Sequence, residues 1–251
     1  MSTSLYQPDF RFESKSVLVV GLGGLGCPTV LCLAAAGVGR IVVADDDAVE
    51  LSNLHRQVLF SEQDVGTDKL TAAERRLSLR FPRTRFEWVR SRLLPENARG
   101  LVGAVDVVVE GADNFATKFL TADACALEHR PVVQGAAIRW VGTAFAVPAG
   151  GRPCYRCLFE DLPSDGPAPN CDAAGVMGPV AGLCGSFCAD LALRLLAADA
   201  SVAGRLISYD GLSDRLREVS IPPRDGCSLC GLERSIGDIE ESRYIAPSSA
   251  A

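Results

Sequence analysis

Short apolar runs alternate with segments of helical period along the first half of this chain. Val17–Val20 is β-branched and predicts a buried strand. It runs straight into GLGGLG (Gly21–Gly26) and then an apolar helix over about 27–36, which Gly37 ends. Ile41–Ala44 predicts a second strand, followed by Asp45, Asp46 and Asp47. Lys69, Leu70, Ala73 and Leu77 share helical spacing, so a helix is expected over 66–80. A third strand is expected near 85–90 and a fourth at Val105–Glu110. A helix from Asn114 to Glu128 and a fifth strand at Pro131–Gln134 complete the series. Strands alternating with helices imply a parallel sheet with right-handed crossovers.

The pattern changes after Gly135. Residues 136–148 alternate like antiparallel strands, and 160–170, EDLPSDGPAPN, read as a loop. A helix is expected over 180–198, and strands near 205–209 and 215–221. The uncharged run 173–189 contains four glycines and a proline, so it reads as a buried turn and helix and not as a membrane span. No repeat or clean linker is visible. The 251 residues therefore read as one domain, with 1–15 as an N-terminal arm and 232–251 as a polar tail expected to be partly disordered.

Composition narrows the classes. At 48% hydrophobic and 22% charged residues the chain is an ordinary globular one. A net charge of −6 argues against a nucleic-acid partner. The opening MSTSLYQPDF has neither a positive n-region nor an apolar h-region, so it reads as no secretory signal and the protein as cytoplasmic. In that compartment the ten cysteines are expected to be metal ligands, core residues or reactive thiols rather than disulfides.

Four blocks carry chemistry. Gly21, Gly23, Gly24 and Gly26 lie between a strand and a helix, where bare backbone and a helix N-terminus can receive a phosphate chain. Asp45, at the end of the second strand, suits a ribose hydroxyl. This reads as a nucleotide site of unspecified kind, or as glycines that serve packing alone. The following block, DDDAVELSNLHRQ, adds Ser52, Asn53, Arg56 and Gln57, with Lys69 further on. Two cations beside a nucleotide suit a triphosphate attacked at its α-phosphate, for which nicotinamide chemistry has no use. The alternative is a solvated polar loop. Asp113 and Asn114 follow a strand's carboxyl end, so Asp113 can hold Mg²⁺ on phosphates, cap the next helix, or do both.

The knuckles Cys154–Cys157 and Cys227–Cys230 can together bind one Zn²⁺ tetrahedrally in a closed, structural site. A redox role is the alternative, disfavoured because neither pair is expected to open a helix after a strand. Cys171, on the Pro/Asp-rich loop, is either an inert thiol or one that attacks an activated acyl group. Cys27, Cys32, Cys125, Cys184 and Cys188 read as core residues. His55 and His129 are the only histidines and pair with no evident nucleophile, against a hydrolase triad.

In combination these motifs resemble the ThiF/MoeB/HesA group of the ubiquitin-activating-enzyme-like superfamily, bacterial sulfur-carrier-protein adenylyltransferases. The resemblance runs from about Lys15 to Gly231: GLGGLG, D-x-D-x-V-x-L-S-N-L-x-R-Q, V-G-x-x-K, DN-x-x-x-K, CYRC, N-C-x-x-A-G-V-x-G-P-V-x-G and the last CxxC. It implies a Rossmann-like α/β fold, a mixed eight-stranded sheet with helices on both faces, in a homodimer. It also implies transfer of AMP from ATP to the C-terminal glycine of a small ubiquitin-fold sulfur carrier, before thiocarboxylate formation. Gly24 would then lie on the phosphates, Asp45 on the ribose, and Asn53, Arg56 and Lys69 on the phosphates. Asp113 would hold Mg²⁺, Asn114 would contact the nucleotide, and the four knuckle cysteines would bind Zn²⁺. Cys171 matches a loop cysteine that is covalently used in some members and dispensable in others.

Two departures stand out. The family's arm arginine, which reaches the partner's ATP, has no counterpart motif in LYQPDFRFESKS, and the family's G-S-L-Q-A reads Gly185-Ser186-Phe187-Cys188-Ala189. No rhodanese-like segment follows, so a separate sulfur donor is expected. Adenylation of a peptide in natural-product biosynthesis and, less favoured, NAD-dependent oxidoreduction are the alternatives. No membrane partner is expected.

Overall fold

The computed structural model describes residues 12–162 and 174–245. Its centre is one eight-stranded sheet: β1 Ser16–Val20, β2 Arg40–Ala44, β3 Arg85–Val89, β4 Val107–Glu110, β5 Val132–Ile138, β6 Val141–Val147, β7 Arg205–Asp210 and β8 Arg215–Ser220. The spatial order is β3-β2-β1-β4-β5-β6-β7-β8. Strands β1 to β5 pair in parallel and β6 to β8 antiparallel. The helices are α1 Gly26–Ala35, α2 Lys69–Arg80, α3 Pro95–Gly103, α4 Phe115–Leu127, α5 Tyr155–Leu158 and α6 Gly178–Leu196.

The continuous apolar strands follow from burial on both faces. Val17 and Val19 enter the core shared with α1, α2 and α6, whereas Leu18 and Val20 enter the core shared with α3 and α4. Helix α6 is long and apolar enough to cross a membrane by length and composition, but half of it is buried inside this fold. It lies close on the β5–β6 hairpin because that surface is bare. A Cβ on Gly142 would stand 2.0 Å from Cys184 Sγ, and one on Gly135 2.7 Å from Cys188 Sγ.

Several boundaries differ from expectation for physical reasons. The fifth strand does not stop at Gln134 but continues through Gly135 to Ile138, and Arg139, at φ 51°, makes the turn into β6. Helix α3 has no counterpart in the hydrophobic pattern. Only Ala98 and Val102 are buried on it, too few for a periodic signal, and Asn97 Oδ1 starts it by accepting from the Leu94 N–H at 2.8 Å. Asp68, not residue 66, begins α2, accepting from the Thr71 N–H at 2.7 Å. Within the polar tail, residues 232–245 pack against the rest of the fold. Ile236 and Tyr244 are buried, and the Tyr244 hydroxyl donates to Asp123 Oδ2 at 2.9 Å.

Candidate active site

Strand β1 has β2 on one side and β4 on the other, so the connections leave it in opposite directions and open a crevice at the strands' carboxyl ends. That crevice is a cavity of about 620 Å³, the size of a small-molecule site. Its wall brings together Gly21, Gly23, Gly24, Asp45, Asn53, Arg56, Lys69, Asp113 and Asn114 from five separate stretches of chain. Ser52 is not part of that wall; it is exposed, and its hydroxyl donates to Glu50 Oε2 at 3.2 Å.

The glycines have different reasons to be glycine. Gly21 has φ +86°, a left-handed turn closed to most side chains. A Cβ on Gly26 would stand 2.0 Å from the Gly21 carbonyl oxygen, so the turn and α1 can pack only without one. On Gly24 it would press on Arg56 and Ala181 at 3.3 Å. On Gly23 it would meet no described atom within 4 Å, which leaves bare backbone facing the cavity.

Asp45 has a structural use that its motif position did not reveal. Its Oδ2 accepts from the Leu22 N–H at 2.6 Å and its Oδ1 from the Asp47 N–H at 2.9 Å, which ties the glycine turn to the end of β2. Burial pushes this carboxyl up, and the Lys69 ammonium opposes the shift. Lys69 is buried, with Nζ 2.8 Å from Asp47 Oδ2 and 3.7 Å from Asp45 Oδ1. The cation is thus held at the crevice wall by two acids.

Arg56 rides on the 51–57 segment, where its N–H donates to the Asn53 carbonyl at 3.1 Å. His55 secures that segment. One ring nitrogen lies 2.9 Å from the Ser52 carbonyl and the other 3.3 Å from the Val176 carbonyl. A Cβ on Gly178 would come within 2.2 Å of the His55 carbonyl, so the segment sits directly on the start of α6. His55 is therefore a strut for Arg56, and the exposed His129 follows α4 at φ 53°.

The cap of α4 is Asn114, not Asp113: Asn114 Oδ1 accepts from the Thr117 N–H at 2.8 Å. This leaves the exposed Asp113 carboxylate to the cavity it lines. Residues that the reading of motifs missed include Arg92, on the same wall and bonded to both oxygens of Asp46 at 3.0 Å. They also include the buried pair Glu110 and Lys118, at 2.7 Å. Lys118 lay in the DN-x-x-x-K spacing, which signalled it without a role.

The two knuckles meet. The Sγ atoms of Cys154, Cys157, Cys227 and Cys230 all lie within 4.8 Å of one another, a metal-site arrangement. Sulfur–sulfur separations of 3.3, 3.5 and 3.9 Å bracket the roughly 3.8 Å edge of a tetrahedron of thiolates 2.3 Å from a central ion. Burial pushes the Cys230 thiol up to about 12. Burial would raise the Cys227 thiol too, but hydrogen bonds from the Cys230 and Leu229 backbone N–H groups, together with the Cys154 and Cys230 thiols, lower it to about 7. Contrary to the sequence expectation, the first knuckle does open a helical turn after β6, since Cys154 directly precedes α5. Convergence of all four thiols, rather than of one pair, still distinguishes the cluster from a dithiol. Between the two thiols of the first knuckle, Arg156 is fully buried and donates to both Asp123 oxygens at 2.8 and 2.9 Å.

The model of the ThiF family matches residues 9–229. The chain belongs to the ThiF family. It is 42% identical over 229 residues to a sulfur carrier protein adenylyltransferase of Thermus thermophilus, covering 89% of this chain and 84% of that one. It is 40% identical over 236 residues to the SAMP-activating enzyme E1 of Haloferax volcanii, covering 94% and 87%. The adenylyltransferase and sulfurtransferase MOCS3 of Anopheles gambiae matches at 40% over 226 residues, and the chain spans about half the length of such MOCS3 relatives. Among solved structures, E. coli MccB with ATP superposes with a TM-score of 0.75 at 22% identity, covering 88% of this chain and 67% of MccB, and shows the shared fold. Cys171 and the arm up to Arg11 of this ThiF-family chain lie outside the described residues.

Proposed function

We infer that this chain is an ATP-dependent adenylyltransferase that activates the C-terminal glycine carboxylate of a small ubiquitin-fold sulfur-carrier protein. The observation that carries the reading is Arg56, Lys69 and Asp113 converging on one cavity with the bare backbone of Gly23. It is supported by the relatives, which include a sulfur carrier protein adenylyltransferase. A nicotinamide oxidoreductase would have no use for two cations and a facing carboxylate.

In the reaction a carboxylate oxygen of the carrier attacks the α-phosphorus of ATP. The new O–P bond forms as the bond to the β-phosphate oxygen breaks, and pyrophosphate leaves. No proton need be moved, so the residues' work is electrostatic and positional. The glycine turn and the N-terminus of α1 receive phosphate through N–H groups. Asp45 both braces that turn and offers its carboxylate edge to the ribose. Arg56, held by His55 against α6, and Lys69, released from Asp47 by a competing phosphate, balance charge on the triphosphate. Asn53 and Asn114 add polar contacts. Asp113, whose carboxylate lines the cavity, would hold Mg²⁺, which would supply neutralisation of phosphate charge.

The thiol cluster suits Zn²⁺, with no open position for chemistry, and so acts as a clip. We assign Cys171 to a later sulfur-transfer step, a separate protein as sulfur donor, and a cytoplasmic homodimer as the working state. Pyrophosphate exchange with candidate carriers encoded nearby tests the reading. Exchange is expected with one such carrier and not with ATP alone. Tight NAD binding without ATP binding in calorimetry would overturn it. Exchange supported only by a small peptide would move the acceptor to the natural-product class.

A further inference from the structure

A buried ammonium stands on the wall between two cavities. Lys118, in the first turn of α4, lines both the 620 Å³ crevice and a neighbouring apolar cavity of about 230 Å³. Its Nζ donates to Glu110 Oε2 at 2.7 Å and to the Gly135 carbonyl at 2.6 Å. Glu110, wholly buried at the end of β4, accepts with its other oxygen from the Ala112 N–H at 2.6 Å. One ion pair therefore joins β4, α4 and β5, and grips the turn 111–113 through the amide next to Asp113.

The rest of that turn is held from other directions. The Gly111 N–H donates to the Val20 carbonyl at 2.9 Å, and a Cβ on Gly21 would stand 3.4 Å from the Ala112 nitrogen. The Asn114 side-chain oxygen is engaged in capping α4. Asp113 is thus clamped on both sides through its backbone neighbours, while among the described residues no hydrogen bond restrains its carboxylate. Apolar packing alone does not call for the pair, since a buried ion pair is often replaceable by hydrophobic residues of similar volume without loss of stability. Its distinctive product is the fixed shape of the turn.

We propose that Lys118 and Glu110 are positioning residues that set the Asp113 carboxylate for the metal of a metal–nucleotide complex. The inference rests on the adenylation reading and concerns a step that needs no carrier. Calorimetry with ATP alone and with ATP plus Mg²⁺ tests it on the full chain. The variants are Lys118→Arg, which can keep both bonds, and the double variant Glu110→Leu/Lys118→Met, which removes the grip without stranding a charge. Circular dichroism and thermal melting verify that each is folded. The double variant is expected to bind metal-free ATP as the parent does, yet to lose roughly 10- to 100-fold of the affinity gained from Mg²⁺, the usual scale for removing a metal ligand's supporting partner. Lys118→Arg is expected to retain most of that gain. A folded double variant that keeps the full Mg²⁺ gain overturns the proposal and leaves adenylation standing. A parent chain that binds ATP under neither condition overturns both.

Discussion

Arg56 is the residue whose loss should speak most directly about chemistry. Arg56→Ala is expected to lower carrier-dependent pyrophosphate exchange by about 10²–10³-fold, the scale of one lost transition-state charge contact. Near-parental exchange in that variant would remove Arg56 from the reaction. Gly23 and Gly26 make a sharper pair. A methyl on Gly26 meets a backbone carbonyl oxygen, whereas one on Gly23 meets open space. Gly26→Ala should therefore cost about 1–3 kcal/mol in urea unfolding, as overpacking does. Gly23→Ala should leave stability within about 0.5 kcal/mol, as surface changes do, yet weaken ATP at least about tenfold, or 1.4 kcal/mol. Cys171→Ala should leave exchange intact and impair only sulfur transfer, because the attacking nucleophile of the first step is a carboxylate. The glycines, Asp45, Arg56, Lys69 and Asp113, which the structure gathers on one crevice wall, stand out in the sequence because a strand–turn–helix glycine loop and the charged residues at strand ends draw on few residue types. Glu110 and Arg92 do not, since a charged side chain carries no sign of the partner that folding will bring to it. Asp113's freedom from capping likewise became visible only when Asn114 was seen to do that work.

At the scale of elements, two-sided burial made β1, β2 and β4 easy to read as unbroken apolar runs. Gly135 misled, since a glycine inside a run looks like an end. Here it is instead the place where Lys118 and α6 both approach the strand. The same logic governs the β5–β6 surface. Gly142→Ala should destabilise by about 1–3 kcal/mol because its methyl would overlap Cys184 Sγ. Adding Cys184→Ala should recover part of that loss, and a double-mutant cycle in urea should return a coupling of at least about 0.5 kcal/mol. Additive losses would mean that α6 rests on the hairpin elsewhere.

For the molecule as a whole, the thiol clip and the C-terminal segment act on one corner. Arg156, between Cys154 and Cys157, is locked to Asp123 on α4, and Tyr244 returns to the same carboxylate. Cys227→Ser should abolish bound zinc in metal analysis and lower the melting temperature, because a structural site's binding energy is folding energy. Tyr244→Phe should cost about 1–3 kcal/mol, since it strips a hydrogen bond from a buried carboxylate. An unchanged melting curve would show that Tyr244 is a bystander. The clip also has a consequence for the order in which the protein is made. Each first-knuckle thiol meets a partner 73 positions later in the chain. At roughly 5–20 residues per second of synthesis, Cys154 and Cys157 wait about 4–15 s as an open dithiol before Cys227 and Cys230 exist. Until then the first knuckle cannot close the four-thiol cluster. Zinc supplied while ribosomes are working should raise the yield of folded protein more than the same zinc added after lysis.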